Sequence, residues 1–150
     1  IDHLVFAGGV ILVVMTQRRA GAIYGNQHSR HWTQVGRHRA KYQFTNPMRG
    51  LSRQVDGINQ IVGRHAAGVV VFPDRTTFPN GRQSGVVTVS EFARMIERLD
   101  IKDRPEGALA WRRLKTRLGQ RMVDTRAATT SPRQTAISLL ATADRREPSF

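Results

Sequence analysis

The 150-residue chain has no cysteine, which excludes a disulfide framework, a cysteine zinc site and a thiol nucleophile and is compatible with a reducing cytoplasm. Negative charge is scarce: 11 Asp and Glu stand against 24 Lys and Arg, a formal net charge of +13. Lysine is scarce too, with only Lys41, Lys102 and Lys115, so the positive charge is almost all arginine. Arginine meets phosphate as a planar fork, and such a charge balance favours a polyanionic partner, nucleic acid first. Before Glu91 the only carboxylates are Asp2, Asp56 and Asp74, whereas a two-metal nuclease or a glycosidase needs at least two converging on one point. The longest apolar run, residues 4–15, falls short of the roughly 20 residues a bilayer requires, and no basic segment precedes it as in a signal peptide. No phosphate-loop pattern and no internal repeat is present. The length suits about one domain.

What is present reads as an α/β order. Residues 2–7 and 10–16 are apolar and partly β-branched around Gly8 and Gly9, the pattern of a buried hairpin. Residues 20–25 suggest a third strand, and residues 26–44 read as a polar, basic loop with a short strand near 42–44. Asn46 and Pro47 then open a helix, with Met48, Leu51, Val55, Ile58, Ile61 and Val62 on one stripe and its end near Gly63. Residues 67–72 predict a strand, 73–81 a loop, and 85–89 another strand. Ser90 is expected to cap a helix with Phe92, Met95, Ile96 and Leu99 inward. The expectation is an α/β domain with one mixed sheet. After Pro105 an amphipathic basic helix is expected, with Leu114, Leu118 and Met122 at fourfold spacing, then a flexible tail.

His28 and His31 are too few, and too far from any acid, for a zinc site. Asp2 is the one early carboxylate at a strand terminus. Met15 and Gln17 alternate with Val13 and share its face; on spacing alone neither stands out.

The ordered set "IDHLVFAGGVILVVMTQRRAGAIYG", Trp32, "FTNPMRGLSRQVDGI", "GVVVF" and a closing strand and helix resembles the NERD (nuclease-related) domain of bacterial proteins, a branch of the PD-(D/E)xK nuclease-like superfamily, over residues 1–99. The resemblance implies a restriction-endonuclease-like mixed central sheet flanked by helices. It sets Asp2 at the family's metal-binding aspartate and Met15, Thr16 and Gln17 at its glutamate-threonine-lysine triplet. In such a site two carboxylates hold Mg²⁺ and the lysine supports the charge on phosphate. Methionine is a soft, weak ligand and glutamine carries no charge, so the catalytic positions Met15 and Gln17 are degenerate and Asp2 alone is left as a metal ligand. The family's first helix and strand, which precede the aspartate, are not in the chain, and its opening at Ile1 reads as an N-terminally incomplete domain.

The expected function is nucleic-acid binding, DNA first, with little or no phosphodiesterase activity, through Arg18 and Arg19 after the triplet and Arg37 and Arg39 in the basic loop. One alternative is a weak Mg²⁺-dependent nuclease using Asp2 and a recruited acid such as Glu91. Another is a non-catalytic interaction module, with a protein partner docking on the basic helical extension within residues 100–150.

Overall fold

The two apolar runs at the start form β1 (His3–Ala7) and β2 (Val10–Thr16), paired antiparallel with His3 opposite Val14 and Ala7 opposite Val10. Gly8 and Gly9 between them have φ of 53° and 79°, the left-handed pair that a two-residue hairpin turn requires. The computed structural model describes residues 1–63, 66–100 and 105–118. Within them, β6 (Ala66–Phe72) and β8 (Val86–Thr88) complete a four-stranded sheet in the order β1-β2-β6-β8. Both run parallel to β2.

A second sheet, ordered β5-β4-β3-β7, corrects the expectation of a single sheet. It contains β3 (Gly21–Tyr24), β4 (His31–Val35), β5 (Lys41–Thr45) and the two-residue β7 (Thr76–Thr77). The stretch read as a basic loop is therefore the antiparallel hairpin β4–β5. Each strand buries one residue, Trp32 or Phe44, so neither shows the alternation by which strands are read. β7, inside the expected loop 73–81, pairs parallel with β3.

The first sheet is covered on both faces, which explains why "VILVV" is apolar throughout. On one face Ile11 and Val13 of β2 pack with the second sheet and with two helices, α1 (Pro47–Val62) and α3 (Pro105–Leu118). On the other, Leu12 and Val14 meet Phe92 and Ile96 of α2 (Val89–Asp100). The second sheet is anchored by Trp32, stacked on Phe72 of β6 at 6.4 Å between ring centroids.

Helix α1 follows its sequence: the Asn46 side chain accepts from the Met48 N–H at 2.9 Å, Pro47 opens the helix, and Gly63 closes it in the left-handed conformation at φ 75°. Helix α2 starts two residues earlier than a cap at Ser90 implies, at Val89. Glu91 Oε2 accepts from the Thr88 N–H at 2.8 Å, the back-bond of a capping box. Ser90 lies within the first turn, where its N–H and hydroxyl donate to Asp74 at 2.8 and 2.7 Å.

The largest departure concerns α3, expected as an extension beyond a domain ending at residue 99. Its Ala110, Trp111 and Leu114 are buried in the main core, and Trp111 stacks on Phe6 of β1 at 5.3 Å. Leu118, expected on the inner stripe, is exposed, and Met122 lies outside the described residues. Close approach fixes this docking: a Cβ on Gly107 would overlap the carbonyl oxygen of Gly9; on α2, likewise, Leu99 presents a carbonyl oxygen that a Cβ on Gly8 would overlap.

Candidate functional site

Because β1 is antiparallel to β2 while β6 and β8 are parallel to it, one edge of the first sheet gathers the start of β1 and the ends of the other three strands. Asp2, the Met15-Thr16-Gln17 triplet, Asp74 and Glu91 all fall along this edge. Asp2 reaches across the hairpin: its Oδ2 accepts from the Thr16 N–H at 2.7 Å and from the Thr16 hydroxyl at 3.0 Å. The register continued one residue past His3–Val14 sets Asp2 opposite Met15. Thus the tertiary structure joins Asp2 to the triplet from 13 positions away.

Met15 and Gln17 are occupied in ordinary structural ways. Met15 is half-buried toward α1, where a Cβ on Gly50 would sit 3.4 Å from its Cε. Gln17 lies beyond β2, and its N–H donates to the Val71 carbonyl at 2.8 Å, extending the ladder with β6. His3, half-buried beside Asp2, has its Nε2 buried without a partner among the described residues. Burial holds its pKa below the ordinary imidazole value, opposed in part by the Asp2 charge.

The remaining carboxylates of this edge are turned to another task. Asp74 is held below its usual range chiefly by the hydrogen bond from the Ser90 N–H, and Glu91 chiefly by that from the Thr88 N–H, with Arg82 adding to it. Glu91 also forms an ion pair with Arg82. Both carboxylates therefore satisfy free N–H groups at the start of α2. β8 lies three strands' spacing from β1, about 14 Å at the usual separation, too far for Asp2 and a carboxylate at the end of β8 to share one ion. Among the described residues no group of three or more His, Asp or Glu is placed to hold a metal. A hard cation such as Mg²⁺ demands several oxygen ligands. This donor set, one exposed carboxylate with one oxygen engaged, does not fit it.

The four candidate arginines are not equivalent. Arg18 is exposed at the end of the triplet strand. Arg19 is half-buried: its Nη1 donates to Gln34 Oε1 at 3.2 Å, and its guanidinium carbon lies 4.6 Å from the centroid of the Phe44 ring. Arg39 is exposed at the tip of the β4–β5 hairpin, where His38 and Arg39 adopt φ of 61° and 59°. The side chain of Arg37 is outside the described residues. His28 and His31 are exposed on the loop before β4 and at its start, with no acid near them in sequence.

Asn46 does more than its sequence context implies. It is 1% exposed, and while its Oδ1 caps α1, its Nδ2 donates to the carbonyls of Asn26, Gln27 and Ser29 at 3.2, 3.1 and 2.8 Å. Trp32 Nε1 donates to the same Asn26 carbonyl at 2.9 Å. The tryptophan and the Asn-Pro pair therefore hold the β3–β4 loop against the start of α1 and do not form part of the carboxylate edge.

The chain thus combines a mixed α/β architecture with an aspartate before the first strand, Met15-Thr16-Gln17 at the end of the next and a helix that starts with Asn-Pro. Residues 1–73 match the model of NERD, the nuclease-related domain family, and over that stretch the chain is a NERD domain. The match ends just after β6; β8, α2 and α3 continue the same sheet and core beyond it. No curated protein and no solved structure matches the chain. Among the described residues no helix is long and apolar enough to cross a membrane.

Proposed function

We propose that this NERD domain is a PD-(D/E)xK-type fold that binds nucleic acid, DNA in the first instance, and hydrolyses phosphodiesters poorly or not at all. The observation that carries the reading is the strand end itself. Met15 and Gln17 stand where the family resemblance sets a glutamate and a lysine, and the one aspartate beside them spends an oxygen on Thr16. Without a second anionic ligand and a cation beside the phosphate, transition-state stabilisation falls by several kcal/mol, a loss of about a thousandfold or more.

Binding survives such a loss because it rests on different groups. Residues 3–55 contain no carboxylate and carry Arg18, Arg19, Arg30, Arg37, Arg39, Lys41, Arg49 and Arg53. This excess of cations favours a polyanion, and affinity is expected to fall steeply between about 50 and 200 mM salt as counterion release weakens.

The test is cleavage of supercoiled plasmid with Mg²⁺ or Mn²⁺ against chelator, run beside the double variant Met15→Glu, Gln17→Lys. The expected result is no cutting by the parent and metal-dependent cutting by the variant. Chelator-sensitive cutting by the parent that Asp2→Ala abolishes would overturn the reading in favour of an active nuclease.

A further inference from the structure

We infer that Tyr42 is a stacking platform for an unpaired base, so that the nucleic acid this domain prefers is single-stranded. The inference deepens the nucleic-acid reading above and rests on it.

Tyr42 lies on β5, an edge strand of the second sheet. Side chains alternate along a strand, so Tyr42 shares a face with Phe44 and not with Lys41, Gln43 and Thr45. Phe44 is buried edge-on against Trp32 at 6.2 Å between centroids. Tyr42, on the same inward face, is 56% exposed. The aromatic row therefore runs out of the core and ends in an uncovered ring. A residue serving only the core would be covered, and one serving only the solvent face would have the opposite parity.

The surroundings of this ring are ordered and positive. Its cross-strand partner is Gln34, whose Nε2 donates to the Ala20 carbonyl at 2.7 Å and whose Oε1 accepts from Arg19. Arg19 is held in turn over Phe44, the residue two positions along β5 from Tyr42, and on Tyr42's cross-strand partner Gln34. On the tip side, a Cβ on Gly36 would lie 4.0 Å from Tyr42 Cε2, and the glycine leaves that flank of the ring open. Arg39 and Lys41 follow, both exposed, and no described carboxylate bonds to either.

An exposed ring in a stretch rich in cations and without any acid matches the way unpaired strands are held: cations track the phosphates while aromatic rings stack on bases. Duplex DNA keeps its base faces stacked internally, so it would use the arginines but not the ring.

The experiment measures binding of labelled oligothymidine and of a duplex of equal length, at one salt concentration, to the parent, Tyr42→Ala and Tyr42→Phe, with circular dichroism to verify folding. The parent should bind the single strand more tightly than the duplex. Tyr42→Ala should lose roughly five- to a hundredfold on the single strand, the range of one base–aromatic stack, with duplex affinity unchanged, and Tyr42→Phe should keep the parent's affinity. In Tyr42→Trp the exposed indole should be quenched by the single strand and not by the duplex. No loss in Tyr42→Ala, or an equal loss on both strands, overturns the platform while leaving nucleic-acid binding intact. Failure of the parent to bind either overturns both readings.

Discussion

Replacing Asn46 by aspartate and by alanine separates two roles that the sequence merges. Aspartate is as good a helix N-cap as asparagine. If capping α1 were the whole contribution, Asn46→Asp would be neutral and Asn46→Ala would cost about 1 kcal/mol. The structure predicts the opposite order. The amide's two protons serve three carbonyls within 3.2 Å, equivalent to about 2 kcal/mol of bonding on top of the cap, so Asn46→Ala should cost about 3 kcal/mol. Asn46→Asp keeps the cap but sets a carboxylate against three carbonyl oxygens at a position 1% exposed, and an uncompensated buried charge costs about 3–5 kcal/mol. Urea denaturation followed by the fluorescence of Trp32 and Trp111, both buried, reads the difference. Acidification adds a signature. The introduced carboxyl has a folded pKa raised by burial, so the folded state gains a proton first and Asn46→Asp should recover stability relative to Asn46→Ala as pH falls toward it. An Asn46→Asp protein within about 0.5 kcal/mol of the parent at neutral pH would refute the clamp.

Gly107→Ala should destabilise by about 1–3 kcal/mol through forced separation of α3 from the β1–β2 turn, whereas Gly57→Ala, on an exposed stretch of α1 with nothing within 4 Å of the added methyl, should stabilise by about 0.5–1 kcal/mol; thermal melts that rank them the other way would contradict the docking. The depressed pKa values of Asp74 and Glu91 contribute stability that is complete above the ordinary carboxylate pKa of about 4 and is lost as pH falls through the lower folded values. The double variant Asp74→Asn, Glu91→Gln should therefore be less stable at neutral pH and lose less on acidification; parallel acid limbs would show that the α2 caps do not titrate as described.

Legibility in the sequence followed the strength of local signals. The β1–β2 hairpin was readable because two glycines interrupt an otherwise continuous apolar run, and α1 because Asn-Pro, a 3–4 stripe and Gly63 agree on its limits. The β4–β5 hairpin was not, since Trp32 and Phe44 stand among mostly polar and basic neighbours and are buried by long-range packing into the core cluster that contains Phe72. Helix α3 showed a basic face and few large apolar residues; that Ala110, Trp111 and Leu114 enter the core depends on glycine contacts 98 positions apart, Gly9 against Gly107. The candidate site divides the same way. Asp2, Met15 and Gln17 were marked by a motif order, and nothing in spacing alone tied Asp2 to Thr16.

Taken by itself, the sequence determined the charge, the absence of thiols, the nuclease-related motif order and the presence of Met15 and Gln17 at the strand end, because composition and residue identity do not depend on folding. Tertiary structure alone decided where the remaining groups act. Antiparallel pairing carried Asp2 to the end of β2, and capping of α2 engaged Asp74 and Glu91. The edge strand β5 left Tyr42 uncovered on the same face as buried Phe44. Each depends on which strands become neighbours, a matter settled by long-range packing of apolar faces and not by local propensity.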